Sequence, residues 1–178
     1  MSVGASGRPF IDWSRLYLRP LREADLAAVM RIEPRAYSHH WSEGIFRDCL
    51  DKLLPPYQET QKPGAGYIMP GLFMGDHLIG YAVYSLVACE AHLLNITVAP
   101  EYKGRGLGRY LLDAIVGDCR ERGAEMLYLE VRPSNRPAIG LYENTGFIDI
   151  GIRKDYYPSA GEREDARVMA LALVEGGL

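Results

Sequence analysis

The chain is poor in the residues that build metal and disulfide frameworks. Of 178 residues only three are cysteine and four are histidine. Cys49, Cys89 and Cys119 show no C-x-x-C spacing and each falls in an apolar stretch. A disulfide scaffold and a zinc site are therefore not expected, and buried thiols in a reducing compartment are. His39-His40 is an adjacent pair beside Trp41, and His77 and His92 stand alone, so no ligand spacing emerges and no metal is expected. No apolar run of about 18 residues occurs, which leaves no candidate membrane span. The opening MSVGASGRPF lacks the apolar core of a signal peptide, and a cytoplasmic location is expected. A surplus of positive charge is also missing. The formal net charge of −3 argues against direct nucleic-acid binding through phosphate contacts, while leaving room for a basic peptide at a local groove. No Lys-Ser or Lys-Thr follows the last glycine of the one glycine-rich turn, and G-x-G-x-x-G is absent. A Walker-type loop and a dinucleotide Rossmann site are excluded on that ground.

What is present is enough for one domain over residues 1–178, with residues 1–13 as a loose lead-in. A short strand is expected at Leu16–Leu21. A helix follows over Glu23 to Ile32, where Leu26, Ala27, Val29, Met30 and Ile32 keep helical spacing. Ser42 is placed to cap a second helix that runs through Phe46, Cys49, Leu50 and Leu53 until Pro55-Pro56 stops it. The proline- and glycine-bearing loop 54–66 sits where a substrate-side loop could sit. Strands are expected at Tyr67–Met74 and His77–Val87, joined as a hairpin by Gly75-Asp76, and at Ala91–Val98. A glycine turn, a helix over Gly106–Arg122 ended by Gly123, and a strand over Met126–Val131 form a β-turn-α-β unit. A short helix over Arg136–Asn144, opened by Ser134 or Asn135, and strands at Phe147–Tyr156 and Arg167–Leu173 complete the chain. The order predicts an α+β fold: a mixed, mostly antiparallel central sheet flanked by helices, with one parallel crossover.

The segment Asn95–Tyr110, NITVAPEYKGRGLGRY, carries the sharpest signal. Glycines at 104, 106 and 108 permit positive φ and close backbone approach. The N–H groups that open the following helix point outward with the positive end of its dipole behind them, which suits a pyrophosphate. Arg105 and Arg109 add charge there. The same run also reads as a tight corner and nothing more.

The segment Lys103-Gly104-Arg105-Gly106-Leu107-Gly108 resembles the (Gln/Arg)-x-x-Gly-x-(Gly/Ala) signature of the GNAT superfamily of acyl-CoA N-acyltransferases, with Lys103 as a departure at the first position. The chain is similar, more narrowly, to the RimI family of bacterial enzymes that acetylate the N-terminal alanine of a small-subunit ribosomal protein. The likeness covers about Leu16 to Leu173. It rests on Trp41-Ser42, His92–Ile96, Leu129-Glu130-Val131-Arg132 with Ser134-Asn135, Leu141-Tyr142-Glu143 with Gly146-Phe147, and Asp155-Tyr156-Tyr157-Pro158 with Glu164-Asp165-Ala166 and Val168–Leu171.

The resemblance implies acetyl-CoA as cofactor and direct attack of an amine on its thioester. It implies Ile96, Thr97 and Val98 at the acetyl and pantetheine portion, Gly104, Arg105, Gly106, Leu107, Gly108 and Arg109 at the pyrophosphate, and Asn135 as a further cofactor contact. Glu130 becomes the base and Tyr142 the acid. Read from residues alone, Glu130 is rather a solvated strand-end carboxylate, on the face of Met126 and Tyr128 and opposite Leu127, Leu129 and Val131. Tyr142 alone reads as a core aromatic, Asn135 as an N-cap, and Ile96 and Val98 as core. Tyr156 and Tyr157 are either the wall of a peptide groove or strand-end packing. The expected partner is the N-terminal peptide of a ribosomal protein. The competing expectations are an acetyltransferase for lysine side chains or a small amine, and a non-catalytic acyl-CoA-binding module.

Overall fold

The computed structural model describes residues 9–54, 66–158 and 163–174. Residues 1–8 of the lead-in and 55–65 of the loop lie outside the described residues. In chain order the elements are β1 (Leu16–Pro20), α1 (Leu26–Ala36), α2 (Glu43–Leu50), β2 (Gly66–Ile68), β3 (Pro70–Met74), β4 (His77–Val87), β5 (Glu90–Val98), α3 (Leu107–Glu121), β6 (Met126–Val131), α4 (Arg136–Glu143), β7 (Ile148–Tyr157) and β8 (Glu164–Ala172). The strands form one mixed sheet in the order β1-β3-β4-β5-β6-β8-β7, with β2 paired to β4. β5 and β6 run parallel, whereas the β1–β3, β3–β4, β6–β8 and β7–β8 pairs are antiparallel. The α+β mixed sheet with a parallel β5–α3–β6 crossover is the fold that the sequence predicts.

Several boundaries differ from expectation. The strand expected over 67–74 breaks at Met69 into β2 and β3. Pro70, which cannot donate to a ladder, begins β3 and faces Pro20 at the end of β1, so two prolines close that ladder together. Residues Glu23–Asp25 form a 3-10 turn before α1. β8 starts at Glu164, ahead of the expected Arg167. The part of the lead-in that is described is not loose: Ile11 is buried, and the Asp12 N–H donates to Met74 Sδ at 3.4 Å.

The chain divides into two compact units. The first holds residues 9–54, 66–83 and 95–112 among those described. Its core is built from the stripe Leu26, Val29 and Ile32 on α1 and from Phe46 and Cys49 on α2, together with Met69 between β2 and β3 and Leu72, Phe73, Ile79, Tyr81 and Val83 of the strands. Phe46, fully buried, meets Tyr81 edge-on at 5.7 Å and Trp41 at 5.4 Å. Burial of a side chain of this size contributes roughly 1.5–3 kcal/mol.

One carboxylate interrupts that core. Glu33 falls seven positions after Leu26, on the apolar stripe of α1, and is 1% exposed. It accepts from the Trp41 backbone N–H at 3.0 Å, from Asn95 Nδ2 at 3.3 Å and from the Tyr81 hydroxyl in a short contact. Thr97 Oγ1 donates to Asn95 Oδ1 at 2.8 Å, and the Tyr37 hydroxyl donates to the Ile96 carbonyl at 2.7 Å. Burial pushes the Tyr37 phenol up to about 12 and the Tyr81 phenol higher still, so both remain donors. Helix α1, the α1–α2 turn, β4 and β5 are thus tied to one carboxyl group.

The second unit holds residues 84–94, 113–158 and 163–174 among those described. β6 alternates strictly, with Leu127, Leu129 and Val131 buried and Met126, Tyr128 and Glu130 partly exposed. The Tyr84 hydroxyl donates to Asp118 at 2.5 Å, and Asp118 also pairs with Arg122 at 2.6 Å. Cys119 is buried and its thiol is pushed up to about 12 by that burial, as expected of a structural cysteine. Cys89 corrects the expectation of three buried thiols. It is exposed in the two-residue turn between β4 and β5, where Ala88 adopts φ 53°.

Replacing Glu33 by Ala strands three donors in the first core. The expected cost is about 3 kcal/mol, read as a lowered midpoint in urea unfolding, and Tyr81→Phe is expected to cost less. An unchanged midpoint for Glu33→Ala would show that the network is not a stabilising one.

Candidate active site

In the first unit, β5 carries Ile96, half-buried, and Thr97 and Val98, both buried. The strand is tied at its end by the Ala99 N–H, which donates to the Ile79 carbonyl at 2.9 Å. A 3-10 turn over Pro100–Tyr102 follows, then the glycine run. Gly104 and Gly106 adopt φ 74° and 84°, a region that an L side chain enters at a cost of about 1–2 kcal/mol. Gly108 corrects the expectation of a third positive-φ glycine, because it already lies in the first turn of α3. The first helical bond runs from the Tyr110 N–H to the Gly106 carbonyl at 3.0 Å. Helix geometry leaves the N–H groups of Leu107 and Gly108 without an acceptor inside the helix. Leu107, Leu111 and Leu112 are buried and fix the axis of α3, and Trp13 meets Tyr110 edge-on at 6.2 Å. The Arg105 guanidinium turns back to the Pro9 carbonyl at 2.6 Å.

In the second unit, the ladder explains how Glu130 acquires its neighbours. Glu130 pairs with Val168 on β8, and Ala166, two residues away, pairs with Arg153 on β7. Val168 and Ala166 share a face, so Glu130 and Arg153 do as well. The Arg153 guanidinium reaches Glu130 at 2.9 Å, with side-chain exposures of 58% for Arg153 and 23% for Glu130. From Arg153↔Ala166 to Tyr157↔Glu164 the ladder advances four residues on β7 and two on β8, so β7 carries two extra residues. Asp155 sits in this bulge at φ 51°, a conformation that Asp tolerates better than most residues. It is held by its N–H to Asp165 at 3.0 Å, and Asp165 also pairs with Lys154 at 2.7 Å.

The turn of backbone at Asp155 brings Tyr156 to Glu130. A hydrogen bond to that carboxylate, burial and the carboxylate's charge raise the Tyr156 phenol. Tyr157 packs edge-on against Tyr156 at 5.0 Å, and burial with the charge of Glu130 pushes its phenol up to about 12. The guanidinium of Arg132 lies 4.3 Å from the Tyr157 ring centroid and pairs with Glu164 at 3.2 Å. Glu164 in turn accepts from the Ser134 N–H at 2.9 Å. Glu130, Tyr156 and Tyr157 therefore form one cluster, with Arg153 and Arg132 as members that the sequence reading did not single out.

On α4, Asn135 rather than Ser134 is the cap, accepting from the Ala138 N–H at 3.4 Å. Tyr142 is buried on the same face as Ile139, with its ring 5.7 Å from Phe147. Among the described residues no three His, Cys, Asp or Glu side chains are placed to hold a metal ion, and no helix is long and apolar enough to cross a membrane.

Comparison with known proteins gives a consistent result. The acetyltransferase (GNAT) family matches residues 26–147. The chain is 39% identical over 153 residues to the [ribosomal protein bS18]-alanine N-acetyltransferase of Escherichia coli K12, covering 86% of this chain and 95% of that protein. It is 35% identical over 154 residues to the enzyme of the same name from Haemophilus influenzae, covering 86% and 96%. The crystal structure of the ribosomal-protein-S18-alanine N-acetyltransferase from Escherichia coli superimposes with a TM-score of 0.77 at 37% identity, over 91% of this chain and 96% of that one. Ard1 from Thermoplasma volcanium shares the fold, with a TM-score of 0.75 at 22% identity over 90% and 99%.

Gly104→Ala isolates the backbone requirement of the turn, because nothing lies within 4 Å of the added Cβ. A loss of about 1–2 kcal/mol in urea unfolding is expected. Unaltered stability would mean that the positive φ is not a constraint at this position.

Proposed function

We propose a reaction and a substrate on the premise that the chain belongs to the acetyltransferase (GNAT) family and is an acetyltransferase: it transfers the acetyl group of acetyl-CoA to the α-amino group of the N-terminal alanine of a small-subunit ribosomal protein, by direct attack. The observation that carries this reading is the Glu130 cluster, a partly exposed carboxylate at a strand end between two tyrosines. The relatives named for ribosomal protein bS18 support the choice of substrate, and a ribosomal substrate supports a cytoplasmic location. We take the two units as one acetyltransferase domain, since the family match runs through both.

The residues present fit the donor. Gly104 and Gly106 expose backbone at positive φ, Gly104 with open space where a Cβ would stand, and the start of α3 offers N–H groups to a pyrophosphate. Leu107, Gly108 and Arg109 complete that cradle, and Arg105 joins it by leaving the Pro9 carbonyl. Ile96, Thr97 and Val98 line the acetyl and pantetheine portion, and Asn135 contributes a further contact. Bound there, the donor supplies an acetyl group already activated as a thioester.

Glu130 accepts the proton of the amine, Tyr156 and Tyr157 wall the peptide, and a backbone N–H near Val98 stabilises the oxyanion. Tyr142 returns a proton to the departing thiolate. An α-amino group has a reference pKa of about 7.7–8.0 against about 10.4 for lysine, so a single carboxylate suffices near neutral pH. Direct transfer is supported by the thiols: burial raises Cys49 and Cys119, which removes both as nucleophiles, and Cys89 sits in the β4–β5 turn.

Glu130→Gln is expected to lower turnover at least about 100-fold, as loss of a general base does, with acetyl-CoA affinity retained. Tyr142→Phe is expected to slow turnover without loss of the fold, and full activity in that variant would remove Tyr142 from the mechanism. The substrate is tested by mass spectrometry of two peptides incubated with acetyl-CoA, one beginning Ala-Arg with a free N-terminus and one N-blocked with a free lysine. Acetylation of the first alone is expected, and modification of only the second would establish lysine acetylation instead.

A further inference from the structure

We propose that Arg153 is the resident counter-ion of Glu130 and that a peptide's α-ammonium group binds by displacing it, which makes Arg153 a specificity-determining residue for the peptide and not for the acetyl donor. The proposal rests on the reading of Glu130 as the group that receives the amine.

Three arginines, Arg132, Arg153 and Arg163, meet Tyr156 or Tyr157, and they are held differently. Arg132 is clamped: it pairs with Glu164, donates to the Pro158 carbonyl at 3.1 Å and lies against the Tyr157 ring. Arg163 donates to the backbone carbonyls of Asp155 and Tyr156 and so belongs to the bulge. Arg153 reaches across the face from β7 to Glu130, with more than half of its side chain exposed. Its guanidinium also lies 5.5 Å from the centroid of the Tyr156 ring. That ring is a second resting place, because an arginine displaced from the carboxylate can settle on an aromatic face without leaving the cluster.

The energetics favour exchange. The guanidinium is more than half exposed and is screened by water, which keeps the pair weak although the carboxylate itself is only 23% exposed. A cationic amine can replace the guanidinium without leaving the carboxylate uncompensated at any stage. A neutral, blocked N-terminus brings no charge, so it must leave Arg153 in place and finds the carboxylate's oxygen engaged. The ion pair therefore acts as a filter for free, cationic N-termini ahead of the chemistry.

The test measures binding of an Ala-initiated peptide by calorimetry in the presence of coenzyme A, alongside steady-state kinetics, in the wild type, Arg153→Ala, Arg153→Lys, Glu130→Gln and the Glu130→Gln/Arg153→Ala double variant. Arg153→Ala is expected to tighten peptide binding and lower its KM by about three- to fivefold, the size of an exposed ion pair, with no matching change in the KM for acetyl-CoA. Arg153→Lys is expected to restore the wild-type affinity, because it restores a cation. In the Glu130→Gln background the Arg153→Ala effect should vanish, as it must if the arginine acts through the carboxylate. Weaker or unchanged peptide binding in Arg153→Ala, with Glu130→Gln inactive, overturns displacement while leaving Glu130 as the base. Full turnover in Glu130→Gln removes the reading of Glu130 itself, and displacement falls with it.

Discussion

A buried carboxylate with neutral donors on every side governs the first unit. A polar group is costly to remove from water unless its hydrogen bonds are replaced. Glu33 has them replaced by groups from the α1–α2 turn, β4 and β5 at once. A shift of any one of these elements leaves a buried hydrogen-bonding group unmatched, which couples their positions. The strand segment from Asn95 to Val98 inherits that rigidity, with the Ile96 carbonyl further pinned by Tyr37. A backbone held this firmly is suited to present hydrogen-bond donors to a reacting carbonyl without reorganising.

The second unit solves a different problem. A strand-end carboxylate on an open sheet face would normally be solvated. Here the β-ladder sets Arg153 on the same face, and a bulge turns Tyr156 toward it. The surroundings of Glu130 are therefore a product of register, and the bulge is stabilised by its own local contacts, through Asp165 and Arg163.

Much of this was legible in the sequence because period and punctuation were unambiguous. The 3.6 spacing of Leu26, Val29 and Ile32, the alternation of Met126–Val131, the Ser42 cap and the Gly75-Asp76 turn each specify one local conformation, and the structure adopts it. Glu33 was not singled out, because the expected helix stops at Ile32 whereas α1 runs on to Ala36, and its partners come from residues up to 62 positions away. Arg153 gave no signal, since simple alternation sets it and Tyr156 on opposite faces and only the positive-φ turn at Asp155, within the bulge, reunites them. Cys89 was misjudged because an apolar stretch continues through a turn whose residues point to solvent. Gly108 was misjudged because spacing alone does not say where a turn yields to a helix.

The two extra residues in β7 also set how this segment can change in length. Side chains in a strand alternate with period two, so insertions and deletions there count by parity. Loss of one residue between Arg153 and Tyr157 would reverse the facing of everything on one side of the cut. Loss of both would restore a regular ladder against Glu164–Ala166 but dissolve the turn at Asp155 that joins Arg153 and Tyr156 around one carboxylate. The length of the hairpin is thereby tied to the contacts that gather around Glu130.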